Sequence, residues 1–420
     1  MKINSLKNYS YLTLFLAFVY LTSGGCKKKD VETYPESQKT LITVNFTNNF
    51  INPKLGAIVF ASDALGNVIA DTTASGNCKI MLRLKPGITV PSLFMLTVVT
   101  WEPSMHNFVI SMNSYMSVPT SSEWTLMGHR PDTLGHFTVN LTNVPPSSLI
   151  IYANTGYENL TTNYDNVNNL SYTDPDNLFI KLENNPEQKY QWISGVHPGG
   201  TYNVDMATAI TPGFSQIGLS GKYYEARIWG YFTGDYENSL PVMTNYSLGN
   251  VPAGQQIKVA VLPERFQGYH TELKLVESWT DNTSYTCRVN GPIPASFLKI
   301  DASVQSLSTF PAGKIEVHPS GDFTSTVATW QFYGHNNQAF TWNLYGSDTS
   351  TVFKLPYLSP SMLQTFPTLS LDSLSFLNVE LSEYPGLTSY NEFLHQVFDP
   401  AHPRSPNKLD ASTLIFGQGK

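Results

Sequence analysis

The sequence predicts an all-β chain of tandem β-sandwich domains, with one or two short helices in the C-terminal part. Apolar and polar residues alternate with period two in several segments, for example at Phe340, Trp342 and Leu344, as in strands with one buried face. Turn formers such as those at 198–200 separate these segments. Only 14% of the 420 residues are charged, which favours half-buried strands over solvated helices.

The first 25 residues are predicted to be a secretory signal peptide. Lys2 and Lys7 precede an apolar run at 11–21, and small residues follow at 23–25. The apolar run is too short to cross a bilayer as a helix. Residues 26–39 are charged and polar and are predicted to form a flexible tether.

The segment Leu21–Cys26, with Gly25 before the cysteine, resembles the lipobox of bacterial lipoproteins. The charged start after Cys26 resembles lipoproteins of the Bacteroidota type. Ser23 departs from the family pattern, which has an apolar residue there. The resemblance implies that Cys26 is acylated and that lipid holds the protein on the outer membrane, on its periplasmic or surface face.

Three Asn-Pro turns at domain-sized intervals predict the domain organisation. They lie at 49–53, 143–145 and 250–252, and apolar residues occupy the fifth and seventh positions after each proline. Each turn is therefore expected to lie between two strands. The spacing predicts one sandwich at 40–136, a second at 137–241 and a larger C-terminal β domain at 242–420.

The first predicted unit resembles transthyretin-like or carboxypeptidase-regulatory-like sandwiches, which share a general architecture with immunoglobulin-like domains. The residues that carry this resemblance are Gly56–Asp63 and Ile80–Leu84. Such modules are structural or binding elements, so the resemblance implies a non-catalytic role.

Two helices are predicted near the C-terminus. Apolar residues at 390, 393, 394, 397 and 398 have helical spacing, and Ser389 with Glu392 forms a capping box. Asp399 and Pro400 end this helix. A second, shorter helix is expected to begin at Pro360, with Ser359 as its N-cap.

The motifs that announce catalysis are absent from the sequence. It contains no Gly-x-Ser-x-Gly, His-Glu-x-x-His, Walker A or dinucleotide-binding motif. Its histidines have no metal-ligand spacing, so no metal and no cofactor is predicted. The net charge of −7 argues against a nucleic-acid partner. Besides Cys26 there are only Cys78 and Cys287, which form either one long-range bridge or two thiols.

The ligand-binding candidates are Trp101, beside a Glu-Pro turn, and Trp124. Tryptophan rings stack on sugars, although they also fill sandwich cores. The favoured function is a non-catalytic cell-envelope lipoprotein that binds or presents a ligand, either a glycan or an envelope protein. The alternatives are a glycan-binding accessory lipoprotein of a polysaccharide-uptake system and, less favoured, an enzyme.

Overall fold

The computed structural model describes residues 39–417 except for short stretches between strands and near the C-terminus. These stretches are 104–107, 129–134, 147–149, 155–156, 162–166, 173–175, 183–186, 220–222, 233–238, 244–253, 255, 279–282, 335–337, 402, 405 and 407–408. The predicted signal peptide, the tether up to 38 and the lipidation site Cys26 lie outside the described residues. Residues 40–420 form one compact unit by contact density.

The fold is all-β, as predicted, and its strands repeat one pairing pattern. The first repeat has seven strands: β1 (Thr40–Thr47), β2 (Ala57–Ser62), β3 (Val68–Ala74), β4 (Cys78–Arg83), β5 (Leu93–Pro103), β6 (Phe108–Pro119) and β7 (Ser122–Met127). They make two sheets, of order β4-β1-β7 and β3-β2-β5-β6. The first strand is antiparallel to the fourth and parallel to the seventh.

The second repeat has the same topology. Its strands are β8 (Gly135–Thr142), β9 (Ile150–Asn154), β10 (Tyr157–Thr161), β11 (Val167–Tyr172), β12 (Asp176–Leu182), β13 (Tyr190–Val196) and β14 (Thr201–Asp205). Their sheets are β11-β8-β14 and β10-β9-β12-β13. A short 3-10 turn at Met206–Thr208 follows the last strand.

The third repeat keeps six of the seven strands. They are β15 (Gly213–Gly218), β16 (Tyr223–Tyr231), β17 (Ser239–Met243), β18 (Gln256–Val261), β19 (Gly268–Ser278) and β20 (Thr283–Gly291). The first pairs with the fourth, and the others follow the order β17-β16-β19-β20. A single parallel bridge between Gly218 and Ser296 stands where the seventh strand would pair.

The fourth repeat follows an extra edge strand, β21 (Ala302–Phe310). Its own strands are β22 (Lys314–Gly321), β23 (Ser325–Gly334), β24 (Gln338–Ser347), β25 (Val352–Lys354), β26 (Ser375–Glu383) and β27 (Ala411–Gly417). They form the sheet β21-β22-β25 and the hydrogen-bonded series β24-β23-β26-β27.

Three of the four-stranded sheets join edge to edge into one sheet of twelve strands. Its order is β17-β16-β19-β20-β27-β26-β23-β24-β6-β5-β2-β3, so it contains strands of the third, fourth and first repeats. The junction between the fourth and first repeats is the parallel pair of β24 with β6. This pairing places residues about 230 positions apart in sequence side by side.

The hydrogen-bond pairing divides the chain differently from the predicted boundaries. Val242 lies inside β17, so the third repeat begins at β15 and the predicted C-terminal unit holds most of two repeats. The second repeat begins at Gly135, close to the predicted residue 137. The positions at which a protease separates the units stay a prediction.

The repeated Asn-Pro turns connect the two sheets of a repeat rather than two neighbours in one sheet. In the first two repeats the turn follows strand one, and the next strand belongs to the other sheet. Asn49 and Asn143 have φ of +55° and +53°, a left-handed conformation that asparagine tolerates better than most residues. The third predicted turn, at 250–252, lies outside the described residues.

Burial follows the predicted alternation. Phe340, Trp342 and Leu344 are buried in the core of the fourth repeat. Strand β2 is buried at all six positions because it has core on both faces: Val59 packs within the first repeat, whereas Phe60 packs in the core of the fourth.

Both predicted helices are confirmed. Helix α1 (Pro360–Thr365) has Ser359 as its N-cap, with the Ser359 Oγ accepting a hydrogen bond from the Met362 N–H. Helix α2 (Tyr390–Phe398) has Ser389 as its N-cap, and all five predicted apolar residues are buried. Helix α2 lies between β26 and β27 in sequence and packs against the core of the first repeat. A 3-10 turn at Leu371–Ser373 precedes β26.

Candidate functional site

Trp124 lies in the core of the first repeat and is only 5% exposed. Its ring stacks on Phe398 of α2, with centroids 4.0 Å apart and planes 10° from parallel. It also meets the Tyr115 ring edge-on at 5.5 Å. Because so little of the ring is exposed, it has no open face for a sugar.

Trp101 lies on β5 and is partly buried. Its ring packs edge-on against Phe366, which follows α1, at a centroid distance of 5.4 Å. It belongs to the packing around the core of the fourth repeat. Neither predicted tryptophan forms an exposed stacking surface.

Two of the three cysteines, Cys78 and Cys287, lie in the described part of the chain. No disulfide joins Cys78, in the first repeat, to Cys287, in the third. Burial raises the pKa of the Cys287 thiol.

Within the described part of the chain no helix has the length and apolar character needed to span a bilayer. Among the same residues, no group of three or more His, Cys, Asp or Glu side chains could hold a metal ion.

A cavity of about 430 Å³ lies where the first and fourth repeats join. Its floor is one face of the twelve-stranded sheet, and its walls come from β7, the turn after β1 and the end of α2. The lining residues are Asn49, Phe50, Val98, Thr100, Glu102, Asn113, Tyr115, Thr125, Leu126, Met127, Gly128, Asn343, Tyr345, Val397, Phe398, Pro403, Arg404 and Pro406. Sites for small molecules have volumes of this order.

Two asparagines from different repeats form the centre of the floor. Asn113 on β6 and Asn343 on β24 face each other in the parallel pair. The Asn343 Nδ2 donates to the Asn113 Oδ1 at 3.0 Å, and the Asn343 Oδ1 accepts from the Thr329 Oγ1 at 3.1 Å. This relay fixes the Asn113 amide with its oxygen occupied.

The relay leaves the Asn113 Nδ2 as a donor for a ligand. This amide nitrogen makes no hydrogen bond within the described part of the chain. Hydrogen bonds in a chain polarise one another, which strengthens the last donor. Because both asparagines lie on paired strands, the donor is held on a rigid element.

Aromatic rings from the floor strands and from α2 meet at one side of the cavity. Tyr115 stacks on Tyr345, with centroids 4.8 Å apart, and Phe398 meets the Tyr115 ring edge-on at 4.8 Å. Burial is the main cause that raises the pKa of both tyrosines. The pKa of Tyr115 is raised further by Tyr390 and Tyr384, and that of Tyr345 by Tyr115 and Tyr384. These phenols therefore stay neutral at any physiological pH and act as hydrogen-bonding and apolar groups.

The cavity contains one group of each charge. Glu102 is the carboxylate and Arg404 is the guanidinium among its lining residues. The backbone N–H of Arg404 donates to the Val397 carbonyl at 3.1 Å, which holds the segment after α2 against the helix. The rest of the lining is neutral, with amide, hydroxyl and apolar side chains.

A close backbone contact shapes the wall at Gly128. A Cβ there would lie 2.4 Å from the Asn48 oxygen and 2.5 Å from the Phe50 nitrogen. The Gly128 N–H donates to the Thr47 oxygen at 3.0 Å. Only glycine therefore allows the turn that carries Asn49 and Phe50 to reach the cavity rim.

Sequence reasoning identified the alternation around residue 342 but did not identify Asn113, Asn343, Glu102 or Arg404 as site residues. One available signal was the pair of polar residues, Ser111 and Asn113, that alternate with buried Ile110 and Met112 on β6. A polar residue opposite a core position marks the other face of a strand.

No protein-family model matches the chain, and no curated protein matches it significantly.

Proposed function

We propose that this chain is a non-catalytic binding protein of the bacterial cell envelope, anchored through a lipid on Cys26. The observation that carries the binding role is the cavity between the first and fourth repeats, with its fixed amide donor and its aromatic wall. The lipobox resemblance supports the anchor and the outer-membrane location. The ligand is held by contacts and is released unchanged.

The chemistry of the cavity supports binding rather than turnover. Glycoside hydrolysis in most families needs two carboxyl groups across the scissile bond, whereas Glu102 is the one carboxylate among the lining residues. Nucleophilic catalysis needs an activated side chain beside a base. The residues lining this cavity, all in the described part of the chain, include no histidine and no cysteine.

Among ligands, a glycan is favoured over an envelope protein. The floor presents neutral donors and acceptors, which match sugar hydroxyls, and the wall presents aromatic and aliphatic surface, which matches the C–H face of a sugar ring. A folded protein partner buries roughly 800 Å² of open surface on each side, whereas this cavity is a recess of about 430 Å³, the size of a small-molecule site.

Binding is tested with the purified protein on an array of neutral glycans, followed by calorimetry on the strongest binders. The informative variant is Asn113→Asp, which keeps the oxygen that accepts from Asn343 but replaces the cavity-facing donor with an acceptor. Loss of one hydrogen bond is worth about 0.5–1.5 kcal/mol, so affinity should fall at least about 2- to 12-fold.

The matched control is Asn140→Ala. Asn140 donates to the Asn203 side chain at 2.9 Å, a cross-strand asparagine pair of the same kind in the second repeat, away from the cavity. This variant should bind as the wild type does. Equal affinity of Asn113→Asp and wild type for every bound glycan would refute the placement of the site.

The anchor is tested separately with Cys26→Ser. The wild-type protein should fractionate with membranes, and the variant should be released by a carbonate wash because its lipid attachment is gone. A variant that stays on the membrane after the wash contradicts the lipoprotein proposal without affecting the proposal for the cavity.

A further inference from the structure

The polar floor of the cavity continues beyond it along the same sheet face. The next row across the strands begins at Thr100 on β5, which lines the cavity, and continues outside it through the register partners Ser111, Thr341 and Gln331 on β6, β24 and β23. All four side chains are partly exposed. None of them hydrogen-bonds to another side chain within the described residues, so all four can serve a ligand.

The row after that ends at an exposed aromatic ring. Glu102, Val109, Ala339 and Tyr333 are register partners, and Tyr333 is 75% exposed. Along β23, Thr329 and Tyr333 point to the cavity side, because Trp330 between them points into the core on the other face. Tyr333 therefore lies on the same face as the asparagine relay.

The distance from Glu102 to Tyr333 sets the size of ligand that could use both. Three strand intervals of about 4.8 Å separate β5 from β23, which gives about 14 Å. A single sugar ring held in the cavity cannot cover this distance. A chain of several rings can lie in the cavity at one end and on Tyr333 at the other.

We infer that the ligand is a neutral oligosaccharide of several rings, which occupies the cavity with one ring and stacks a distal ring on Tyr333. This inference rests on the proposed glycan-binding function and specifies the ligand class of the same site. The hydroxyl and amide row between the two ends contacts the intermediate sugar hydroxyls, and Val109, 38% exposed, offers apolar surface beside it.

The same geometry disfavours an extended peptide on this strip. Peptides that add to sheets do so at an edge, through unpaired backbone groups. Here β23, β24 and β6 are interior strands with neighbours on both sides, so their backbone groups are already paired. A ligand on this face must be recognised by side chains, and a sugar chain presents hydroxyls and ring faces for that purpose.

The test uses the full chain and neutral oligosaccharide ladders of one to six rings, built from glucose, xylose, mannose or galactose, with calorimetry on every ladder that binds. For wild-type protein, affinity should rise with length until the chain reaches Tyr333. Tyr333→Ala should lower the affinity for the six-ring ligand about 2- to 12-fold, the fold-change that one stacked ring supplies. It should leave the affinity for one-ring and two-ring ligands unchanged.

Two variants control for other effects. Tyr333→Phe keeps the ring and should bind the six-ring ligand as the wild type does. Tyr357→Ala removes another exposed tyrosine, 51% exposed and on the far side of the fourth repeat after β25, and should change nothing. Both tyrosines are exposed, so their removal leaves the core intact, and thermal unfolding verifies this.

The outcomes separate the two proposals. If Asn113→Asp weakens binding while Tyr333→Ala leaves every ligand length unaffected, the extended strip is wrong and the cavity proposal stands. If affinity does not change between one and six rings, the oligosaccharide inference is also overturned. If no neutral saccharide of any length binds, both the inference and the glycan assignment of the cavity fail.

Discussion

Replacing Trp124 by alanine should destabilise the protein and also weaken ligand binding, although the ring does not line the cavity. Trp124 stands behind the cavity wall and holds Phe398 by stacking and Tyr115 by an edge contact. Both of these residues line the cavity. Removing the indole therefore leaves a void directly behind two site residues.

The magnitude follows from burial and ring contacts. Truncation of a buried tryptophan to alanine costs about 3–5 kcal/mol, and each aromatic pair contributes about 0.5–1.5 kcal/mol beyond area burial. With 5% exposure and two ring partners, we expect a loss of about 4 kcal/mol. Domains are typically stable by about 5–15 kcal/mol, so the variant should fold but with a much lower midpoint.

The assay is urea unfolding, monitored by tyrosine and tryptophan fluorescence and by circular dichroism. Glycan binding is measured in parallel. Trp101→Ala is the matched control, because Trp101 is partly exposed and packs against Phe366 on the opposite face of the sheet. It should lose less stability and keep its affinity. Unchanged unfolding of Trp124→Ala together with lost binding would refute this reasoning and indicate direct contact with the ligand.

Three further predictions concern the junction of the repeats, a buried carboxyl group and the boundaries. Ser114→Ala should lower the free energy of unfolding by about 1–3 kcal/mol per lost partner, because the buried Ser114 Oγ accepts from the Trp342 Nε1 at 2.8 Å and bonds the Thr97 hydroxyl. A double-mutant cycle with Trp342→Phe measures the coupling between the two side chains. Additive effects of the two substitutions would contradict this prediction. Burial raises the pKa of Glu380 above its ordinary 4.5, although Arg288 and Lys274 attract the charged form. The folded state therefore binds this proton more tightly than the unfolded state, and the free energy of unfolding falls as the pH rises from about 4.5 through the raised pKa. Glu380→Gln should remove this fall in urea titrations between pH 4 and 8. Limited proteolysis with mass spectrometry should cut near residue 137 before it cuts inside a repeat, and first cuts inside β1–β7 would contradict the division there.

Local patterns made the fold class and both helices predictable. The alternation at 340–344 depends only on which face of a strand is buried, and the Ser389 cap with its helical spacing depends only on neighbours within ten residues. Such signals are short-range, so they survive without knowledge of the tertiary structure. Two of the Asn-Pro turns are local signals of the same kind, because asparagine tolerates the left-handed backbone that these turns adopt at residues 49 and 143.

The location of the site depended on long-range pairing and could not be read in this way. Trp101 and Trp124 both lie on strands close to turns, and only the tertiary structure shows that one is partly exposed on the far face and the other is enclosed by α2. The predicted boundary at 242 lies inside β17 rather than between two repeats, for a related reason. Its turn motif was matched in sequence, whereas the repeat is defined by which strands pair.

In the fourth repeat the segment between β26 and β27 carries a helix, and this segment completes the candidate site. Residues between β26 and β27 carry α2, which packs on the first repeat and places Val397, Phe398 and Arg404 over the floor. The parallel pairing of β24 with β6 brings Asn343 beside Asn113 on that floor. A single sandwich of this topology has neither the second asparagine nor the helical wall. The proposed binding therefore depends on the joined repeats, because the floor needs β24 beside β6 and the wall needs α2.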